Sequence, residues 1–260
     1  MVMELSTQND GVDRRGFLEC MAWAGSGLLW TLNGGLPGAQ VFGRERKTMA
    51  PNDFTFVQIS DSHIGFNKAP NKDVVGTLQA VVDKINALPV PPAFVLHTGD
   101  LTHLAMPEEF DTVAEVLKGI KAKTLFVPGE HDFDGDNNKL YLERYGKGTF
   151  GTGWYSFDYK GTHFVGLVNV ASAKSGSMSG MGQLGQEQLQ WLTKDLRSIA
   201  SSKPIIVFAH VPLWAVYEKW GWATQDAEQA LNLLKRFGSV TVLNGHIHQI
   251  MQKVEGKVVF

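Results

Sequence analysis

Three short runs rich in β-branched and aromatic residues, FTFVQIS (54–60), AFVLHTG (93–99) and TLFV (124–127), bracket two stretches whose apolar residues recur every three or four positions. The first stretch puts Val74, Leu78, Val81, Ile85 and Leu88 on one helical face, and the second does the same with Phe110, Val113, Val116, Leu117 and Ile120. Strands separated by a whole helix cannot be joined by a tight hairpin, so neighbouring strands must run parallel. This βαβαβ rhythm predicts an α/β fold with a parallel sheet and helical crossovers.

The second half of the chain changes character. WYSFDYKGTHFVGLVNV (154–170) carries YKGT between two strand-like runs and reads as an antiparallel hairpin. LGQEQLQWLTKDLRSI follows as a helix, with Leu184, Leu189, Leu192, Leu196 and Ile199 on or near one face. Then come the strand PIIVFAH, a helix near 226–237, and the strand that opens VTVLNGHIHQ. Residues 171–183 are small, polar and Gly-rich, and read as a mobile surface loop. The terminal GKVVF reads as the interior of a strand and predicts a chain that continues past residue 260.

The polar residues fall at one end of these strands. Asp61 and His63 follow the first, Asp100 the second, Glu130, His131 and Asp132 the third, His210 a later one, and His246 and His248 the last. In open α/β sheets the C-terminal edge of the strands is where ligands bind, because loops converge there from rigid starting points. A lone histidine at a strand end is ordinarily a hydrogen-bonded structural residue, and His97 and His163 are read that way. The ordered set is different: so many carboxylates brought together repel one another unless cations neutralise them. The predicted site is therefore a metal centre.

The N-terminus points elsewhere. Arg14 and Arg15 precede an apolar stretch of roughly thirteen residues, short of the roughly 20 that a membrane span needs, so residues 1–48 read as a targeting segment and linker ahead of a catalytic domain at 49–260. The order Arg-Arg-x-Phe-Leu resembles a twin-arginine export signal, although Asp13 and Glu19 depart from its usual flanks. That resemblance implies a periplasmic or extracellular protein, folded before export, with no membrane span once the signal is removed. The only cysteine, Cys20, lies inside this segment, which rules out disulfides, thiolate metal sites and a cysteine nucleophile downstream. The 24 Lys and Arg against 26 Asp and Glu give a net charge of -2, so no basic stripe predicts a long nucleic acid as partner.

DSH (61–63), GD (99–100), GEHD (129–132), AHVP (209–212) and GHIH (245–248) together resemble the five sequence blocks of the calcineurin-like metallophosphoesterases, over essentially all of the chain after residue 53. The resemblance implies a four-layer α/β/β/α sandwich of two mixed sheets flanked by helices. It also implies two metal ions: the first held by Asp61, His63 and His248, the second by Glu130, His210 and His246, with Asp100 bridging both. Such a pair activates a bridging water as hydroxide for direct in-line attack on a phosphodiester or phosphomonoester and stabilises charge on the attacking and leaving oxygens. His131 stands where the family's general acid stands, and His103 where many members carry a residue that orients the acid. Asp132 either tunes His131 or anchors its turn.

Glu130 departs from the family pattern, which usually has a neutral Asn there. Asp61, Asp100 and Glu130 against two divalent ions leave one net positive charge, so a trivalent ion in the second position is favoured: Fe(III) with a divalent Fe, Mn or Zn, or else two divalent ions with Glu130 as a tolerated substitution. After His210, Trp214, Tyr217, Trp220 and Trp222 either wall a small-molecule phosphate ester over its leaving group or pack a long loop onto the sheet. A hydrolase is the primary expectation, because a competent side chain occupies every position hydrolysis needs. The alternative is a metal-binding or partner-binding module with little or no turnover, and neither reading fixes the oligomeric state.

Overall fold

A computed structural model describes residues 28–33, 36–41, 53–133, 138–170, 181–216 and 223–260. The first sheet has the order β2-β1-β3-β4-β5, from β1 (Leu28–Asn33), β2 (Leu36–Val41), β3 (Phe54–Ile59), β4 (Phe94–His97) and β5 (Lys123–Phe126). Strands β3, β4 and β5 are parallel, as the crossover argument requires. The β1–β2 hairpin adds to the free side of β3 in antiparallel fashion, within the 1–48 segment that the sequence assigns to targeting.

The crossovers are helix α1 (Val74–Asn86) and helix α2 (Pro107–Leu117). Asp73 accepts a hydrogen bond from the Gly76 amide at 2.8 Å and so satisfies one of the orphan donors at the start of α1. Pro107 opens α2, and Glu109 reaches back to accept from the Leu104 and Met106 amides at 2.8 and 3.3 Å. Val74, Leu78, Val81 and Ile85 are buried as their spacing predicts, whereas Leu88 and Val116 are only partly so. A short helix, α3 (Lys139–Tyr145), has no counterpart in the periodicity reading; its seven residues bury only Tyr141, too little for a helical stripe to emerge.

The second sheet has the order β12-β13-β11-β9-β7-β6. Strands β6 (Tyr155–Tyr159) and β7 (Thr162–Gly166) form the expected hairpin around Lys160 and Gly161, whose φ of 42° and 82° give the two-residue turn that matches strand twist. Helix α4 (Gln186–Leu196) leads to β9 (Ile205–Phe208), and helix α5 (Ala227–Leu234) to β11 (Val240–Leu243), with β7, β9 and β11 parallel. Strands β12 (Val254–Glu255) and β13 (Val258–Val259) complete the edge, while β8 (Met181–Gly182) pairs separately with β10 (Ala223–Thr224).

Alternation along the strands sorts the core into layers. In β3, Val57 and Ile59 face the α1 and α2 side, whereas Phe54 and Phe56 pack between the sheets with Phe94, Leu96, Phe164, Ile206 and Phe208. In β9, Ile205 and Val207 face α4 and α5, and Ile206 and Phe208 turn inward. Each sheet is thus covered by helices on its outer face and by the other sheet on its inner face, which is the four-layer α/β/β/α sandwich. Both sheets deliver the C-terminal ends of their parallel strands to one rim.

Candidate metal centre

The expected metal ligands, with His103 and His131, lie on that rim, on loops after β3, β4, β5, β9 and β11. Asp61, His63 and His248 bring one donor atom each to a common point, and so do Glu130, His210 and His246. Asp100 stands between the groups, its Oδ2 3.5 Å from His63 Nε2 and 3.3 Å from His210 Nε2. Within the groups, His248 Nε2 lies 3.1 Å from Asp61 Oδ1, His210 Nε2 lies 2.9 Å from Glu130 Oε2, and His246 Nδ1 lies 2.7 Å from Glu130 Oε1.

The loops reach this arrangement through strained backbone. Asp61, His63, Asp100, His246 and His248 all have left-handed φ, between 41° and 71°, a conformation that costs a non-glycine residue about 1–3 kcal/mol each. Five such residues persist together because their surroundings over-determine them. The amides of Asp61, His63 and Ile64 donate to the carbonyls of Gly99, Asp100 and Leu101, lacing the first two loops together. Gly99, at φ 104°, admits the close approach of the next layer: a Cβ there would sit 2.5 Å from His210 Nδ1.

Surrounding groups fix which atom each side chain presents. His210 Nδ1 donates to the Thr98 carbonyl at 2.8 Å, which leaves Nε2 as the atom aimed at the cluster. Asp61 accepts the His246 amide at 3.1 and 3.2 Å, and Asp100 Oδ1 accepts the His131 amide at 2.9 Å, leaving its Oδ2 for the centre. Asp132 is buried and accepts from the Gly129, Leu101 and Thr102 amides and from the Thr102 hydroxyl at 2.9 to 3.1 Å. Of the two readings of Asp132, the geometry matches the anchor.

The electrostatics have the character of a site built for cations. Burial pushes the Asp61 carboxyl up, but His248, His210 and His63 outweigh it and hold it well below the usual carboxylate range. Glu130 behaves alike: burial opposes ionisation, and His210 and His246 overcome it. In the counterpart shifts, burial pulls His210 and His248 down, while Asp100 and Glu130 raise the first and Asp61 raises the second. Burial takes His63 down to about 4 against the pull of Asp100 and Asp61, so it stays neutral, its Nε2 3.2 Å from His248 Nε2. Protons on imidazoles thus balance carboxylates here, and a divalent ion could take their place. Glu130 Oε2 and His210 Nε2 are buried without a hydrogen bond of acceptable geometry, facing each other and the centre, so the donor set fits a metal pair.

His131 sits beside the cluster. Its Nδ1 donates to the His103 backbone carbonyl at 2.7 Å, which fixes the ring and leaves Nε2 outside that bond. Burial lowers its pKa, but Asp100 and that carbonyl more than offset the effect and raise it. The His103 ring stacks on the His131 ring at 5.1 Å and 15°. His103 thus meets His131 through its main chain as well as its ring, a contact that side-chain type could not reveal. Trp214 packs on Phe260 at 5.1 Å and belongs to the core under α4 and α5. Tyr217, Trp220, Trp222 and the 171–180 loop lie outside the described residues.

The family model for calcineurin-like phosphoesterases matches residues 54–250. A glycerophosphodiester phosphodiesterase of Enterobacter lignolyticus is 28% identical over 204 residues, 74% of this chain and 70% of that protein. A 3',5'-cyclic-nucleotide phosphodiesterase of Nostoc is 24% identical over 205 residues, 75% of this chain and 71% of that protein. Among solved structures, a dimetal phosphatase from Danio rerio superposes with a TM-score of 0.65 at 18% identity, covering 79% of this chain and 85% of that one.

Proposed function

Because the chain belongs to the calcineurin-like phosphoesterase family, we propose that it is a two-metal hydrolase of small phosphodiesters. The observation that carries this reading is the convergence of Asp61, His63, His248, Glu130, His210 and His246 into two donor groups with the Asp100 carboxylate between them and His131 alongside. Two cations there would supply Lewis-acid polarisation of the phosphoryl oxygens and activation of water. The protein's own part is to orient and to move one proton. His131, held by the His103 carbonyl and raised in pKa by Asp100, delivers the proton on Nε2 to the departing alkoxide oxygen. Asp132 keeps the His131 turn against the Asp100 loop, so acid and bridging carboxylate move as one piece.

A diester is favoured over a monoester. Of the three described arginines, Arg144 pairs with Asp111 at 2.8 Å, Arg236 donates to the Leu196 and Ile199 carbonyls, and Arg197 follows helix α4, which supports a substrate without the second charge of a terminal phosphate. Relatives named as glycerophosphodiester and cyclic-nucleotide phosphodiesterases support the same class. Glu130 places one oxygen against each imidazole of its group, and this extra negative charge favours Fe(III) there, paired with a divalent ion at Asp61, His63 and His248.

Elemental analysis of the purified protein and of Glu130→Asn, with turnover of a bis-aryl and a mono-aryl phosphate, tests this reading. The expected result is near-stoichiometric iron with a second metal, selective loss of iron from the variant, and preference for the diester. Diester turnover by protein free of metal would overturn it. Export through the twin-arginine route is part of the proposal, supported by Arg14-Arg15-x-Phe17-Leu18. Replacing both arginines by lysine should keep the protein in the cytoplasm of a bacterial host, and unchanged periplasmic activity would refute it.

A further inference from the structure

A fully buried histidine outside the donor set joins the two loops that carry Asp61, His63 and Asp100. His97 ends β4 beneath the Asp61-Ser62-His63 and Gly99-Asp100-Leu101 loops, with no exposure to solvent. The Gly99 amide donates to its Nδ1 at 3.3 Å, so the ring proton is on Nε2, and Nε2 lies 3.1 Å from the Ser62 hydroxyl. Ser62 in turn donates to the Leu101 carbonyl at 2.9 Å. The relay runs in one direction, from the Gly99 amide through imidazole and hydroxyl to the Leu101 carbonyl, and it closes around Asp100.

Its partners lie next to strained residues. Ser62 stands between Asp61 and His63, and Gly99 and Leu101 flank Asp100; Asp61, His63 and Asp100 all have left-handed φ. Main-chain bonds lace these loops together, and the relay adds a side-chain tie beside a small cavity that Ile59, Val74, Leu78 and Val81 line with Ser60, Ser62 and His97. In that apolar setting the hydroxyl and the imidazole have each other and the two loops as partners, so removing either leaves a buried polar group unpaired.

We propose that His97 is a positioning residue for the metal centre, acting through Ser62 to set the spacing between the loop bearing Asp61 and His63 and the loop bearing Asp100. It touches neither substrate nor metal. This role rests on the two-metal reading above.

The test uses the full chain as wild type, His97→Phe, His97→Gln and Ser62→Ala, with metal affinity measured by chelator competition, steady-state turnover of a bis-aryl phosphate, and melting to confirm folding. His97→Phe and Ser62→Ala should each lose about 10- to 100-fold in metal affinity, the usual scale for groups that orient ligands, and lower kcat with little change in KM. Glutamine can accept from Gly99 and donate to Ser62, so His97→Gln should recover most of the loss. The double variant should be no worse than His97→Phe alone. Should the phenylalanine variant fail to fold, Ser62→Ala removes a single oxygen and carries the test. Wild type that loads metal while Ser62→Ala loads and turns over equally well would overturn the role of His97. Wild type that takes up no metal would overturn the two-metal reading, and this inference with it.

Discussion

Among the described residues, two clusters of histidine and carboxylate behave in opposite ways. At the entry end of the second sheet, His163 lies between two carboxylates, with Nδ1 2.9 Å from Asp158 and Nε2 2.9 Å from Asp195. Asp195 also accepts from the Ser156 hydroxyl at 2.6 Å, and Lys203 reaches Asp158 at 2.9 Å. Both ring nitrogens meet an acceptor, the charges balance locally, and none of these residues has a left-handed φ. At the rim, donor atoms face one another with mismatched geometry on strained loops. The same side chains make a saturated structural clamp in one place and two facing groups of donor atoms in the other. What separates them is whether hydrogen-bond geometry is met, as at His163, or unmet, as at Glu130 Oε2 and His210 Nε2.

The largest effect should come from the shared carboxylate. Asp100→Asn removes a charge that both donor groups use, and should lower metal content at both positions and cut diester turnover by more than about 100-fold, beyond the loss of a merely orienting group. If only one metal were lost, Asp100 would not be the bridge. The same competition has a pH signature. Because His210 and His248 are raised in the absence of metal, metal must displace their protons, so affinity should fall as pH drops through those raised values. Titration of metal uptake against pH checks the sign.

His131→Ala should retain both metals while slowing hydrolysis of a diester with a poor alkyl leaving group by about 10²- to 10⁴-fold, and a nitrophenyl diester far less. Loss of metal in that variant would move His131 into the ligand set. The smallest effect belongs to the saturated cluster. His163→Gln should leave turnover unchanged and destabilise the fold by about 1–2 kcal/mol, the scale for a buried side chain that loses a hydrogen bond to a charged partner. Burial lowers the His163 pKa, but Asp195 and Asp158 raise it overall, so its contribution is full below the unfolded value and is lost as pH rises through the folded one. Wild-type melting should therefore decline over that upper range, and the variant should lack the decline.

The contrast also marks what a reader of the sequence could see. The βα rhythm and the strand-end positions of Asp61, Asp100, Glu130, His210 and His248 followed from periodicity and order alone, because they are properties of side-chain type. His97 and His163 could be set aside as structural, but nothing in their spacing distinguishes the strut beneath the rim from the clamp at the opposite edge. The carbonyls of Thr98 and His103 leave no trace in residue type, although they decide which nitrogen of His210 and His131 is free. Short elements were hidden for the same reason as α3: too few residues to show a period. The β1–β2 hairpin escaped notice because its segment was read for its paired arginines and not for pairing with β3.

The donor set draws on both halves of the sandwich: Asp61, Asp100 and Glu130 arrive from the first sheet, and His210, His246 and His248 from the second. Any ion bound there is a rivet across the seam, and its binding energy is then inseparable from the cohesion of the two sheets. An ion at 100 times its dissociation constant would add about 2.7 kcal/mol to the folded state. Resistance to heat thus becomes a gauge of occupancy, and a chelator would act on this protein as a mild denaturant.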